Sequence, residues 1–237
     1  MIKMAKISVL IPCYNEEQGV ANVIKNIPKD KFKKLGYDIE VIVINNNSTD
    51  NTTQVAEKAG AKVFLEKRKG KGRALLKGFY SISKDTDYIV MIDGDDTYKT
   101  HEMLRLIEPL ENNFCDVVVG SRLAGKLMDH SMTRFNRFGN WFLSFLVRTY
   151  YCGNVTDVCT GYFAWKREVI EELRKHLVCN GFNIEMEMIT KMAKLKYSIY
   201  SVPITYDPRK GNSTLHPLRD GSLIFHTFLK NLHWKPK

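Results

Sequence analysis

Asp93-Gly94-Asp95-Asp96 places three carboxylates within four residues, directly after the apolar run Tyr88-Ile89-Val90-Met91-Ile92. An unbroken apolar run closed by a turn-former reads as a strand buried on both faces. Acidic oxygens at the carboxyl end of such a strand lie where open α/β sheets bind ligands. Donors this close together suit a hard divalent cation and the phosphates it bridges. An acidic turn after a strand also arises for local structural reasons, so the remaining loops carry the decision. Pro12-Cys13-Tyr14-Asn15-Glu16 follows the apolar run at 7–11. Asn45-Asn46-Asn47-Ser48-Thr49-Asp50-Asn51-Thr52 follows the run at 41–44, and Lys67-Arg68-Lys69-Gly70-Lys71-Gly72-Arg73 follows the one at 62–66. Singly, each is ordinary turn, cap or solvated-surface chemistry. Gathered on one rim, they make a binding site.

The elements that would gather them alternate along the chain. Apolar runs at 7–11, 41–44, 62–66, 88–92 and 116–119 predict strands. Stretches at 17–27, 51–59, 72–83 and 100–111 predict helices, with Pro28 and Gly60 closing two of them. This alternation implies βαβ units and a mostly parallel sheet, in which loops after successive strands share one edge. The second half is less regular. It predicts a long helix over 134–151, a short strand over 161–165, a helix over 184–195 and a strand-like run over 197–206 that ends before Pro208. No repeat, low-complexity tract or linker divides the chain.

At 237 residues, 44% hydrophobic and 26% charged, the chain suits one large α/β domain and not a disordered polymer. No signal peptide is read at its start, and no segment approaches the roughly 18–20 apolar residues that span a bilayer. The five scattered cysteines contain no C-x-x-C pair and read as small buried hydrophobes in a reducing compartment. The six histidines show no metal-ligand spacing, so no zinc is expected. A formal charge of +10 favours an anionic partner, which leaves nucleic acid, a phosphorylated small molecule or an acidic lipid surface. Solubility alone is the competing explanation.

The motifs together resemble the family-2 glycosyltransferases, which have a GT-A fold: a Rossmann-like, mostly parallel central sheet flanked by helices. Residues 9–16, Val-Leu-Ile-Pro-Cys-Tyr-Asn-Glu, are similar to that family's opening strand and P-x-Y-N-E turn. Residues 45–53 resemble its D-D-x-S-x-D-x-T loop, Gly70-Lys71-Gly72 its G-K-G loop, and Asp93-Gly94-Asp95 its D-x-D motif. The second half narrows the resemblance to the polyprenyl-phosphate glycosyltransferases, the group that includes the dolichol-phosphate mannose and glucose synthases. Val118-Val119-Gly120-Ser121-Arg122 resembles their V-x-G-S-R, residues 157–163 their D-x-x-S/T-G-F/Y-F, and residues 208–213 their R-x-G-x-S tail. Two positions depart: Asn45-Asn46 replaces the usual aspartate pair, and Thr214 replaces the usual lysine after the tail serine.

The resemblance implies metal-dependent, inverting transfer of one sugar from a nucleotide-sugar to dolichyl or another polyprenyl phosphate. A phosphate monoester has its second pKa near ~6, so this nucleophile is already ionised and needs no general base. The enzyme's work is then to position two anions and stabilise the departing diphosphate. Asp95 is expected to be the main ligand of Mg²⁺ or Mn²⁺, with Asp93 orienting the ribose or sharing the metal through water, and Asp96 or Thr97 completing the shell. Donor contacts are expected from Pro12, Tyr14, Asn15, Glu16, Asn45, Asn47, Ser48, Lys71, Gly72, Asp93 and Gly94. Acceptor phosphate is assigned to Arg122, Arg209 and Ser213, with Arg134 and Arg137 beside them; Arg122 is also counted as catalytic with Asp93 and Asp95. Asp93-Gly94-Asp95-Asp96-Thr97-Tyr98 differs from the D-A-D-x-Q of mannose synthases and inclines the donor towards UDP-glucose or UDP-N-acetylglucosamine over GDP-mannose.

On a helical wheel, Arg134, Arg137 and Arg148 fall within an arc of about 60°. Phe135, Phe138, Phe142 and Phe145 occupy the adjoining arc, with Trp141 beside the arginines. Such a helix either lies in a membrane interface or packs its phenylalanines on the sheet. Residues 1–215 are expected to form the catalytic domain, the nucleotide-sugar half to about 120 and the acceptor half beyond. Residues 216–237 are expected to add an amphipathic helical segment. The chain stops at Lys237 without the spanning helices of many relatives, so attachment is expected to be peripheral, on the cytoplasmic face of a membrane, with no nucleic-acid partner. Competing readings are a nucleotidyltransferase, a GT-A transferase with a non-lipid acceptor, and a non-catalytic module that binds anionic membranes. The three clustered carboxylates argue against the last.

Overall fold

A computed structural model of the chain describes residues 4–151, 153–209 and 215–236. In chain order its elements are β1 (Ala5–Cys13), α1 (Val20–Lys25), α2 (Lys29–Lys34), β2 (Tyr37–Asn45), α3 (Thr52–Lys58), β3 (Lys62–Leu65), α4 (Lys71–Ser81) and β4 (Tyr88–Met91). A short 3₁₀ turn (Thr100–Glu102) leads into α5 (Met103–Glu111), followed by β5 (Val117–Leu127), α6 (Arg134–Tyr150) and β6 (Phe163–Lys166). The chain ends with α7 (Arg167–Leu173), α8 (Ile184–Lys194), β7 (Ile199–Tyr206) and α9 (Pro217–Leu232).

The strands form one sheet in the order β3-β2-β1-β4-β6-β5-β7. β1 pairs in parallel with β2 and β4, and β2 in parallel with β3. Winding therefore runs outward from β1 through β2 to β3, then restarts on the other side of β1 at β4. That reversal opens a crevice at the carboxyl ends of β1 and β4. β6 is antiparallel to both β4 and β5, whereas β5 and β7 run parallel. Because β6 runs against β4, the start of β6 lies beside the end of β4, where Met91 pairs with Phe163. The residues before β6 are thus delivered to the crevice. The expected nucleotide and acceptor halves share this single sheet, with β6 of the second half seated against β4 of the first.

Apolar side chains on the two sheet faces form two clusters. Leu10, Ile42, Phe79, Phe163 and Trp165 pack on one face under α4 and α8, and Val9, Val43, Val90, Phe32 and Leu106 on the other. The expected helix over 17–27 starts only at Val20, because the preceding residues form the rim turn and Asn15 sits at φ 56°. β5 runs to Leu127, well past the expected 119, through an irregular register between Ser121 and Lys126. α2 and α7 were not expected: each is only about two turns of helix, too short for a clear apolar period. α9 packs on α8 and α6, burying Ile224 and Phe228. It is joined to the core and not a separate appendage.

Candidate functional site

The crevice is lined by Pro12, Cys13, Tyr14 and Glu16 after β1, by Asn46 after β2, and by Lys69, Gly70, Lys71 and Ala74 around the start of α4. Asp93, Gly94 and Asp95 after β4 form its floor, and Phe182 and Arg209 come from the second half. Each rim loop identified in the sequence therefore reaches the same cavity.

Carboxylates and cations alternate across it. Lys71 Nζ lies 2.8 Å from Asp93 Oδ1 and 2.7 Å from Glu185 Oε1. Burial works against its charge, but Asp93 and Glu185 more than offset that and hold its pKa above the ordinary lysine value. Arg209 donates from Nη1 to Asp95 Oδ2 at 3.0 Å and from Nη2 to Glu16 Oε1. Asp95 is buried, and its Oδ1 accepts from Thr97 Oγ1 at 2.7 Å and Thr97 N at 3.2 Å, leaving Oδ2 directed towards the cation. Burial and the nearby Asp93 raise its pKa. Burial likewise pushes Glu16 up to about 7, against the opposing pull of Arg209. Glu185 is raised by burial although Lys71 opposes it, since that single ammonium is divided between two carboxylates. The cleft is thus an acidic floor compensated by two long-stemmed cations.

Gly161 explains why the residues before β6 must come this close. A Cβ there would stand 2.0 Å from Asp93 Oδ2, so only glycine leaves room for the carboxylate. Tyr98 Oη accepts from Gly161 N at 2.7 Å and fixes the approach.

A metal ion bound here would draw on Asp93 and Asp95. Among the described residues, no three His, Cys, Asp or Glu side chains converge as a protein-built cage would require. The donor set still fits a hard cation that takes one or two carboxylates and fills its shell with water and substrate phosphate. Both carboxylates already face positive groups, Lys71 and Arg209, so the floor selects positive charge.

Several assigned residues lie elsewhere. Asp96 has φ 63°, which turns its side chain to the α1 side, where it accepts from Asn22 Nδ2 at 3.2 Å. It borders a neighbouring depression with Lys99 and Asp207 and is not on the acidic floor, so its place in the metal shell is withdrawn. Arg122 is buried and its guanidinium grips Asp157, Nε to Oδ2 at 2.7 Å and Nη2 to Oδ1 at 2.9 Å. Its Cζ stacks 5.1 Å from the Tyr206 ring centre. Arg122 therefore ties β5 to the 157–161 loop and does not stand open to an acceptor phosphate, which corrects its catalytic assignment. Asn45 spends its side chain on Ser48 N and Thr53 Oγ1, and Ser48 Oγ accepts from Asn15 N. Asn47 is exposed at φ 61°. Asn15, Asn45, Asn47 and Ser48 shape the turns, while the neighbouring Asn46, not assigned from the sequence, lines the cleft. Arg134 and Arg137 border a separate groove with Leu123, Phe138 and Trp141. Ser213 lies outside the described residues.

Glu185 and Phe182 were missed. Both sit where the chain enters α8, in the run Phe182-Asn183-Ile184-Glu185-Met186-Glu187-Met188. Two glutamates alternating with apolar residues at the start of this helix were the available signal, because buried carboxylates need partners.

A doubly wound sheet with this strand order, an acidic turn at its switch point and basic, glycine-bearing loops around it defines a glycosyltransferase of the GT-A fold. The chain belongs to Glycosyl transferase family 2, whose sequence pattern matches residues 8–174. It is 34% identical over 221 residues to Glycosyltransferase AglJ of Haloferax volcanii, covering 92% of this chain and 69% of that protein. It is 28% identical over 224 residues to the Dolichyl-phosphate hexose transferase of the same organism, covering 94% and 92%. Glucosyl-3-phosphoglycerate synthase from Mycobacterium tuberculosis superposes with a TM-score of 0.73 at 23% identity, over 98% of this chain and 81% of that one. At that identity the likeness is one of fold.

Proposed function

We propose that this chain transfers a single hexose or N-acetylhexosamine, with inversion, from a nucleotide-sugar to dolichyl or another polyprenyl phosphate, UDP-sugars being the favoured donors. The observation that carries the reading is Arg209. Its guanidinium bridges Asp95 and Glu16 at the cleft floor, and its buried Nε has no protein partner among the described residues. An orphaned buried donor is costly unless something accepts from it, and a phosphate oxygen is a suitable acceptor. Lys71 supplies a second cation on the opposite wall.

In the reaction, one oxygen of the lipid phosphate attacks the anomeric carbon as the bond from that carbon to the nucleotide's diphosphate breaks. The attacking oxygen is already anionic, so no side chain needs to remove a proton. Lys71 and Arg209 align the two anions, and the walls at Tyr14, Lys69 and Phe182 hold the nucleoside side of the donor. Mg²⁺ or Mn²⁺ held by Asp93 and Asp95 would neutralise charge on the leaving nucleotide. The relatives support these choices: the matched Haloferax enzyme is a dolichyl-phosphate hexose transferase, and the synthase of like fold crystallises with Mn²⁺ and UDP-glucose.

Membrane contact is assigned to α6. Phe135 and Phe138 are 60% and 64% exposed, and Phe142 and Phe145 also face outward, while Leu143, Ser144 and Val147 make the helix's buried side. Packing the phenylalanines on the sheet is therefore not what this helix does. An aromatic face edged by Arg134 and Arg137 suits the cytoplasmic interface of an anionic membrane. Among the described residues, no helix is long and apolar enough to cross a bilayer.

The test is a panel of UDP- and GDP-sugars offered with Mg²⁺ to short-chain polyprenyl phosphate, with products read by mass. A glycosyl phospholipid is the expected product. Nucleotidyl transfer, or sugar transfer only to a small soluble phosphate ester, would overturn the lipid-acceptor reading.

A further inference from the structure

We propose that Glu187, on the side of α8 turned away from the cleft, is a positioning residue for the basic donor loop at 69–72, acting through the chain at 176–180. The consequence for donor binding rests on the nucleotide-sugar reading above; the mechanical link does not.

The Glu187 carboxylate is 1% exposed and lines no part of the cleft. Its Oε2 accepts from Cys179 N at 2.8 Å and Val178 N at 3.1 Å, and its Oε1 from Lys191 Nζ at 2.7 Å. Lys191 in turn donates to the carbonyl of His176 and lies 5.2 Å from the Trp234 ring centre. One buried ion pair thus clamps the backbone of 176–179 from both charges. Such a pair adds little to stability over apolar packing; its best-attested use is to specify one geometry.

The geometry it specifies is that of the donor loop. Directly after the clamped amides, Asn180 O accepts from Gly72 N at 2.9 Å. A Cβ on Gly72 would stand 2.2 Å from Cys179 O, so the two backbones meet without slack. Lys71, the residue before, reaches Asp93 and Glu185, and Glu185 lies two positions before Glu187 on the same helix. α8 therefore holds Lys71 twice, directly through Glu185 and at one remove through Glu187. A loosened donor loop weakens the grip of its cation on the donor in ground state and transition state alike, so the loss falls on donor KM.

Glu187→Gln keeps the side chain's shape and removes its charge. Amide exchange at Gly72 should quicken about tenfold, with β1 and β4 as protected as in the wild type. Donor KM should rise about tenfold while kcat and acceptor KM stay within about threefold, and Glu187→Asp should recover part of the loss. In the double variant with Gly72→Ala the two effects on donor KM should be less than multiplicative, since both act at one contact. Unchanged Gly72 exchange, loss of protection throughout the sheet, or fully multiplicative effects would each overturn the proposal. If Glu187→Gln does not fold, the reciprocal experiment decides: UDP with Mg²⁺ should slow exchange at the Val178 and Cys179 amides of the wild type, and no slowing sinks the idea. A wild type that binds no nucleotide would refute the donor reading, while Gly72 exchange would still judge Glu187.

Discussion

The acidic cleft and the outer face of α6 treat their costly groups in opposite ways. In the cleft every carboxylate on the floor is answered by a cation from a distant part of the chain: Asp93 and Glu185 by Lys71, Asp95 and Glu16 by Arg209. On α6, large aromatic rings stand in water, and Phe138, Trp141 and Phe145 stack in a row with ring centres 5.9 Å apart. Burial of charge is expensive unless geometry and partners are supplied in full, so the cleft is tied to the tertiary fold at many points. Exposure of aromatic area costs no contacts, so α6 is held only by its inner side. The cleft should therefore couple function to fold, and the α6 face should separate them.

The largest break is expected at Asp95. Asp95→Asn removes the charge that faces Arg209 while keeping the Thr97 bonds open, and should lower kcat by roughly 10³-fold together with the denaturation midpoint, the circular dichroism spectrum of the folded state staying unchanged. Near-normal turnover would remove the cation-binding floor from the scheme. Arg122→Ala extends the cleft's rule to a buried ion pair outside it. It leaves the fully buried Asp157 without its partner, so chemical denaturation should show a loss of about 3–5 kcal/mol. A stable variant with only a raised acceptor KM would restore Arg122 to the acceptor site.

On α6, Phe138→Ser with Trp141→Ser should weaken binding to anionic vesicles roughly tenfold. The same change should alter stability by no more than about 0.5 kcal/mol, as surface substitutions usually do. A large fall in melting temperature would mean that these rings are packed in solution.

The last effect, read only as a pH dependence, concerns Glu16 in the metal-free protein. Burial raises its folded pKa to about 7, from the ordinary glutamate value of 4.5. Between those values the folded state holds a proton that the unfolded state has lost, so the Glu16 contribution to stability declines as pH rises and levels off above about 7. Glu16→Gln should therefore gain on the wild type through that window, measured as the difference in denaturation midpoint at each pH. A constant difference from pH 4 to 8 would show that Glu16 is not held protonated.

The strands of the first half and their loops were legible because their signals are local. Ile89, Val90 and Met91 are apolar on both sides because β4 lies inside the sheet, and Asp93 and Asp95 follow it at once. The helix over α6 was readable to within a residue from its repeat of aromatics, yet the repeat left open which side faces in. Misassignments fell where a polar residue has two plausible partners. Asn45 and Asn46 are adjacent and alike in sequence, but the first caps its own loop and the second bonds Gly70 N and the carbonyls of Glu66 and Arg68. Arg122 carried the same ambiguity.

What the sequence determined by itself was the order of the strands, the rim on which polar loops collect and the acidic tip of β4, since periodicity and turn chemistry act over a few residues. Only the tertiary structure decided that β6 slips in antiparallel beside β4, that Gly161 yields its side-chain space to Asp93, and that α8 sends Glu185 to Lys71. Those partners are separated by tens to more than a hundred residues. Whether two buried charges meet depends on the packing of everything between them, and no local pattern records that distance.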